Sequence, residues 1–151
     1  MIDLIWLAVA LPLIASGVNM LVGKRFGSGA GDGAGQRSGW FATAAMAASF
    51  VVALGALLSL LSLPSEERTQ VVSVAEWIRA GAVSVSFDLR VDPLSITMAL
   101  VVTGVGSLIH LYAIGYMEHD PRPWRFFGYT TLFCAFMLVL VLADDFLLLY
   151  L

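Results

Sequence analysis

Three side chains that exchange hydrogen bonds, Thr103, Ser107 and His110, recur at i, i+4 and i+7 within an otherwise apolar run, Pro93 to Met117. That spacing stacks them on one face of a helix. Ala99, Gly104 and Gly106 lie beside the same face. Small and weakly polar residues suit a helix contact inside a bilayer, because backbones approach closely and hydroxyls find partners across the interface. The first chemistry of Thr103, Ser107 and His110 is therefore helix contact. The second belongs to His110 alone, since ionisable groups within a span are rare and mark ion or proton paths. As a packing residue, His110 is expected to be a neutral imidazole, about two turns from the cytoplasmic end of its helix. Its partner would be a hydroxyl or carbonyl of the adjacent helix.

A lone histidine cannot ligate zinc or haem, and His119 stands in the polar segment EHDPRPWR, so no metal is implied. Cys134, the single cysteine, sits in the middle of an apolar run and reads as a small packing residue. Asp144 and Asp145 are neighbours that project in different directions, which is not the geometry of a catalytic carboxylate pair. They mark an interface with water, and one of them suits the N-cap of a following helix. Asp145 joins His110 as a candidate for a proton path. The glycine-rich GSGAGDGAG lacks the strand and helix that a dinucleotide site requires, and no nucleophile elbow or phosphate loop is present. Neither a catalytic nor a cofactor-binding residue is expected in this chain.

The elements that must position these residues are membrane spans. Hydrophobic residues make up 60% of the sequence and charged residues 13%, with mean hydropathy +0.90, against roughly 45–50% and 25% in soluble domains. Runs of about 20 apolar residues, the length of one bilayer crossing, fall at 4–22, 40–63, 93–117 and 126–143, and a fifth starts at about 146. The first run follows Asp3 instead of a basic segment, so it reads as a retained helix and not a cleaved signal. The expected fold is an all-α integral membrane protein, a single membrane domain over 1–151, with a β-hairpin between helices 2 and 3. A net charge of −3 disfavours nucleic acid as a partner.

The loops give an orientation. Residues 23–39 and 118–125 carry Lys24, Arg25, Arg37, Arg122 and Arg125, whereas Pro64 to Asp92 carries three arginines and five carboxylates. The positive-inside rule places the first two loops in the cytoplasm, and the N-terminus and the long loop outside. Within the long loop the period changes to two: Val83, Val85, Phe87, Leu89 and Val91 alternate with Ser84, Ser86, Asp88, Arg90 and Asp92. With QVVSVAEWI upstream and Gly81 for the turn, residues 70–91 read as a hairpin on the outer membrane surface. Two strands alone are marginal in water, so its apolar face needs helices or a neighbouring subunit to rest on.

The segments FDLRVDPLSITMALVVTGVGSLIHLYAIGYMEHD and RFFGYTTLFCAFMLVLVLADDFLLLYL resemble the start of subunit L of the bacterial proton-pumping NADH-quinone oxidoreductase, respiratory complex I. The matching pieces are Asp92-Pro93-Leu94-Ser95, Leu108-Ile109-His110-Leu111-Tyr112, Gly115-Tyr116-Met117 with Asp120, and Arg125-Phe126-Phe127. They cover about 65 residues; over the first 65 only the two helices and a cytoplasmic loop correspond. The family usually has Asn where Asp145 stands.

The resemblance implies an antiporter-like subunit of the bacterial inner membrane. Such a subunit couples quinone reduction elsewhere in the complex to proton translocation and holds no redox centre. Its partners would be the other membrane subunits of complex I and the lipid bilayer, with flavin and iron–sulfur clusters in partner subunits. The family's proton-carrying glutamate, lysines and later histidines fall beyond Leu151. A related multisubunit sodium/proton antiporter subunit and a small structural assembly protein are the competing functions. The chain is expected to be the N-terminal part of a longer polypeptide. Six residues after Asp145 span only about 9 Å of a core about 30 Å thick.

Overall fold

The computed structural model describes residues 2–26, 34–64, 68–80 and 83–145. In chain order these form α1 (Ile5–Val22), α2 (Ala34–Leu61), β1 (Gln70–Ala80), β2 (Val83–Val91), α3 (Pro93–Tyr116) and α4 (Pro123–Leu142), with short 3-10 turns at Ile2–Leu4 and Gly23–Phe26. All four helices are long and apolar enough to cross a membrane. The expected fifth helix and the Gly81 turn lie outside the described residues.

Two boundaries differ from the sequence reading. Helix α2 begins at Ala34 and not at 40, and α4 begins at Pro123 and not at 126. Residues such as Gln36 and Arg37 read as loop, yet they are exposed on the first turns of α2, which at 28 residues is about 42 Å long and overshoots a hydrocarbon core of about 30 Å. Pro123 suits the first turn of a helix, where its missing amide hydrogen has no partner to lose. The start of α3 matches its reading: Ser95 N–H donates to Asp92 Oδ1 (2.7 Å) and Asp92 N–H to Ser95 Oγ (2.9 Å), a capping box with Pro93 behind it.

Helix α2 packs against α3 and α1, and α1 against α4; α2 and α4 also meet, keeping α1 and α3 on opposite sides of the bundle. Many buried positions are small or polar, such as Ala8, Ala15, Ala53, Ala56, Ala99 and Thr103, beside a few large ones such as Ile5, Met46, Leu60 and Phe127, while Leu21, Leu58, Leu108 and Phe133 point outward. A soluble bundle would show the reverse; here lipid solvates the large side chains and close backbone packing joins the helices.

Antiparallel strands β1 and β2 pair with two register shifts, between Ser73 and Ala75 and between Glu76 and Ile78, where β1 has an extra residue. The alternation read from the sequence holds from Leu89 to Val91, while Ser86, Phe87 and Asp88 are all half-buried. Leu89 and Val91 are fully buried, while Arg90 is exposed. Those two residues join Ile5, Ala53, Leu60, Ile96, Leu138 and Leu142 in one core. The hairpin thus rests on the ends of all four helices, tied further by a bridge from Leu89 to Ala143 and by Asp144 N–H donating to Asp88 O (3.2 Å).

Candidate functional site

At the other end of the bundle the helix contacts turn polar. Glycines make this possible by closing the distance between helices. A Cβ added to Gly39 would lie 2.8 Å from both Ile114 Cγ1 and Phe127 Cζ, and one on Gly106 would lie 2.7 Å from Met46 Cε. Into this tight region fall Ser16 and Asn19 of α1, Ser38 and Thr43 of α2, Thr103 and His110 of α3, and Thr131 of α4, all buried.

His110 is 1% exposed. Its Nδ1 lies 2.7 Å from the Gly106 carbonyl, and its Nε2 lies 3.0 Å from Thr131 Oγ1 on α4. A carbonyl oxygen only accepts, so Nδ1 carries a proton and Nε2 is the atom that faces the neighbouring helix. The Phe127 ring, 6.2 Å away between centroids, covers one side of the imidazole. The expectation of a hydroxyl partner on an adjacent helix is met by Thr131, a residue the sequence reading did not single out.

The other two members of the expected face behave differently. Thr103 is buried, but its hydroxyl donates to Ala99 O in its own helix (2.7 Å), and the half-buried Ser107 does the same to Thr103 O (2.6 Å). The carbonyl four residues back is always within reach of a helical Ser or Thr, and it outcompetes a partner across the contact. Of the three, His110 alone is recorded bonding across.

Asn19 is the second feature that the reading passed over. Its amide donates to Ser38 O (3.4 Å), and its Oδ1 is buried without a hydrogen-bond partner among the described residues. One turn before Asn19, Ser16 donates to Gly128 O (2.9 Å). The only amide side chain in the first apolar run was a visible signal for this contact. Cys134 packs at the same level, its Sγ 3.5 Å from where a Gly106 Cβ would stand.

Asp145 is not part of this cluster. It is exposed at the hairpin end, past the last residue of α4, Leu142, which is itself about 16 Å along the helix from Thr131. Its neighbour Asp144 lies 3.6 Å from Arg90, which also lies 3.6 Å from Asp92. Among the described residues no group of three His, Cys, Asp or Glu comes together to hold a metal ion.

Four bilayer-length helices, a capping hairpin and one buried histidine in a polar helix contact define a multi-pass membrane protein, and its fold is shared with a chain of a solved assembly. The Mrp complex from Dietzia sp. DQ12-45-1b contains a chain that superposes with TM-score 0.70 over 97% of this chain and 14% of that one, at 27% identity. In sequence the resemblance is to the N-terminal portion of NADH-quinone oxidoreductase subunit L. The subunit of that name from Mycobacterium tuberculosis is 43% identical over 145 residues, 96% of this chain, and that from Escherichia coli K12 is 51% identical over 85 residues, 56% of this chain. A family model described as NADH-Ubiquinone oxidoreductase (complex I), chain 5 N-terminus, matches residues 77–127. The chain spans about a fifth of the length of the mycobacterial relative and less of the other. The likeness therefore reaches well beyond the 65 residues that the motifs alone mark out, and takes in α1 and α2.

Proposed function

We propose that this chain serves as the N-terminal part of a proton-translocating, antiporter-like subunit of an NADH-quinone oxidoreductase. The observation that carries the reading is 43% identity to a subunit L over 96% of the chain. In this reading the subunit holds no redox centre; flavin and iron–sulfur clusters belong to partner subunits, and neighbouring membrane subunits supply the coupling to quinone reduction. Loops 23–39 and 118–125 face the cytoplasm, and the N-terminus and the hairpin face outward across a bacterial inner membrane. Support for that orientation is the excess of Lys and Arg on the first two loops. His110 is the proton-bearing candidate within the bundle, and Asp145 is a surface candidate at the outer end.

Affinity purification of the tagged protein from its own membrane tests the reading. Recovery of a flavin- and iron–sulfur-containing assembly that oxidises NADH supports it. A second reading, a subunit of a multisubunit sodium/proton antiporter, draws on the fold shared with the Mrp complex. Sodium-dependent proton exchange without NADH oxidation in the purified assembly would favour that reading and reject the first. Cysteine substitutions at Ser28 and Ser84 test the orientation: reagent added to sealed cells should label position 84 and spare position 28.

A further inference from the structure

With the His110 ring neutral, Thr131 faces two acceptors with a single proton. Thr131 Oγ1 lies 3.0 Å from His110 Nε2 and 2.6 Å from Phe127 O, and both positions are in hydrogen-bond range. A hydroxyl has one proton to give. When the ring is neutral with its proton on Nδ1, Nε2 is a bare acceptor, so the hydroxyl must turn to Nε2 and leave Phe127 O. When the ring is doubly protonated, Nε2–H donates to Oγ1 and the hydroxyl is released to donate to Phe127 O. Every donor is satisfied in both arrangements, and they differ by one proton and one hydroxyl rotation.

We infer that His110 and Thr131 form a one-proton store inside the α3–α4 contact, with the Thr131 hydroxyl as the positioning group that turns between Nε2 and the Phe127 carbonyl. Loading takes a proton from a hydronium ion, whose O–H bond breaks to leave a water molecule. A new N–H bond forms at Nε2, directly or by relay, in which Oγ1 accepts the incoming proton as its own O–H bond breaks and that proton passes to Nε2. The hydroxyl is intact afterwards and the ring carries the added charge. No heavy atom has to move, which suits a contact this tightly packed. Among the described residues the side chains packed on the partners of His110 are neutral: Met46 and Cys134 beside Gly106, Ala42 and Ile114 in one cluster with Phe127, and Ser16 and Asn19 of α1 meeting α4 at Gly128. Among these only Cys134 has an ionisable proton, so Cys134→Ala serves as a control. The inference deepens the proposed role of His110 and rests on that reading, but its test does not use NADH or a proton gradient.

The sequence itself offers the probe. Phe–Gly pairs occur only at Phe26–Gly27 and Phe127–Gly128 in these 151 residues, and the histidines are His110 and His119. Phe26→Leu and His119→Gln therefore leave one carbonyl and one imidazole to follow by solid-state NMR, in the intact protein reconstituted in lipid with 13C-carbonyl Phe, 15N Gly and ring-15N His. As the pH is lowered stepwise, protonation of Nε2 and the downfield shift of the Phe127 carbonyl should share one titration curve. Thr131→Ser should keep the link, Cys134→Ala should leave it unchanged, and Thr131→Val should freeze the carbonyl signal. A carbonyl that stays fixed while the ring takes up its proton would overturn the inference, as would a ring that stays neutral throughout or a carbonyl shift that survives in Thr131→Val. Those outcomes leave the NADH-linked reading standing if the purified assembly still oxidises NADH.

Discussion

The hairpin end of the bundle and the end near the Gly23–Phe26 turn use the same four helices with different side chains. At the hairpin end Ile5, Leu60, Leu89, Val91, Ile96, Leu138 and Leu142 form an apolar core that borrows a strand from the long loop. At the other end, glycines bring the helices together, and buried Ser16, Asn19, Ser38, His110 and Thr131 supply hydrogen bonds. The difference follows from what each end must do. The hairpin sits where water competes for backbone groups, so apolar burial can hold it in place. Between helices that no hairpin covers, apolar burial gains little because lipid is as apolar as a side chain, and close packing with a few polar contacts has to do the joining.

Substitutions that attack one end and spare the other should separate these two kinds of cohesion. The largest effect is expected for Leu89→Ala, which empties a fully buried position between hairpin and helices. A loss of about 2–5 kcal/mol should appear in denaturant unfolding of the reconstituted protein, with new protease cleavage in 70–91. Gly39→Ala follows at about 1–3 kcal/mol, because its methyl group would press on Ile114 and Phe127; here the hairpin should stay protected. Asp92→Ala removes one half of the capping box and should cost about 0.5–2 kcal/mol, read as earlier hydrogen exchange in the first turn of α3. Thr103→Val should be smallest, no more than about 0.6 kcal/mol, because among the described residues Thr103 bonds to its own helix alone. A Thr103→Val loss as large as that of Gly39→Ala would mean that the hydroxyl reaches across after all, and the contrast between His110 and the rest of its face would fail.

Much of this arrangement was readable in the chain. Apolar runs of bilayer length located all four spans, and strict alternation from Val83 to Asp92 located β2 and its buried face. The start of α2 was not readable because Gly35, Gln36 and Ser38 have loop composition. Gly39 is nonetheless helical, and its lack of a side chain admits Phe127. Periodicity named the face of α3 that is buried, but it could not name what the face meets. His110 and Thr131 are 21 residues apart on different helices, and a Thr within FGYTTLF carries no mark of its partner. Only the packing of α3 on α4 brings the two together.

NADH-driven proton uptake by inverted membrane vesicles, with NADH oxidation followed in the same sample, tests most directly whether the polar half of the bundle handles protons. His110→Ala removes the imidazole and leaves Thr131 to its own helix, a change of about 1–3 kcal/mol in stability, which quantification of the assembled complex would record separately. Vesicles carrying His110→Ala should oxidise NADH at the wild-type rate per assembled complex and take up fewer protons per NADH. An unchanged proton-to-NADH ratio in assembled complex would contradict proton handling by the polar half of the bundle.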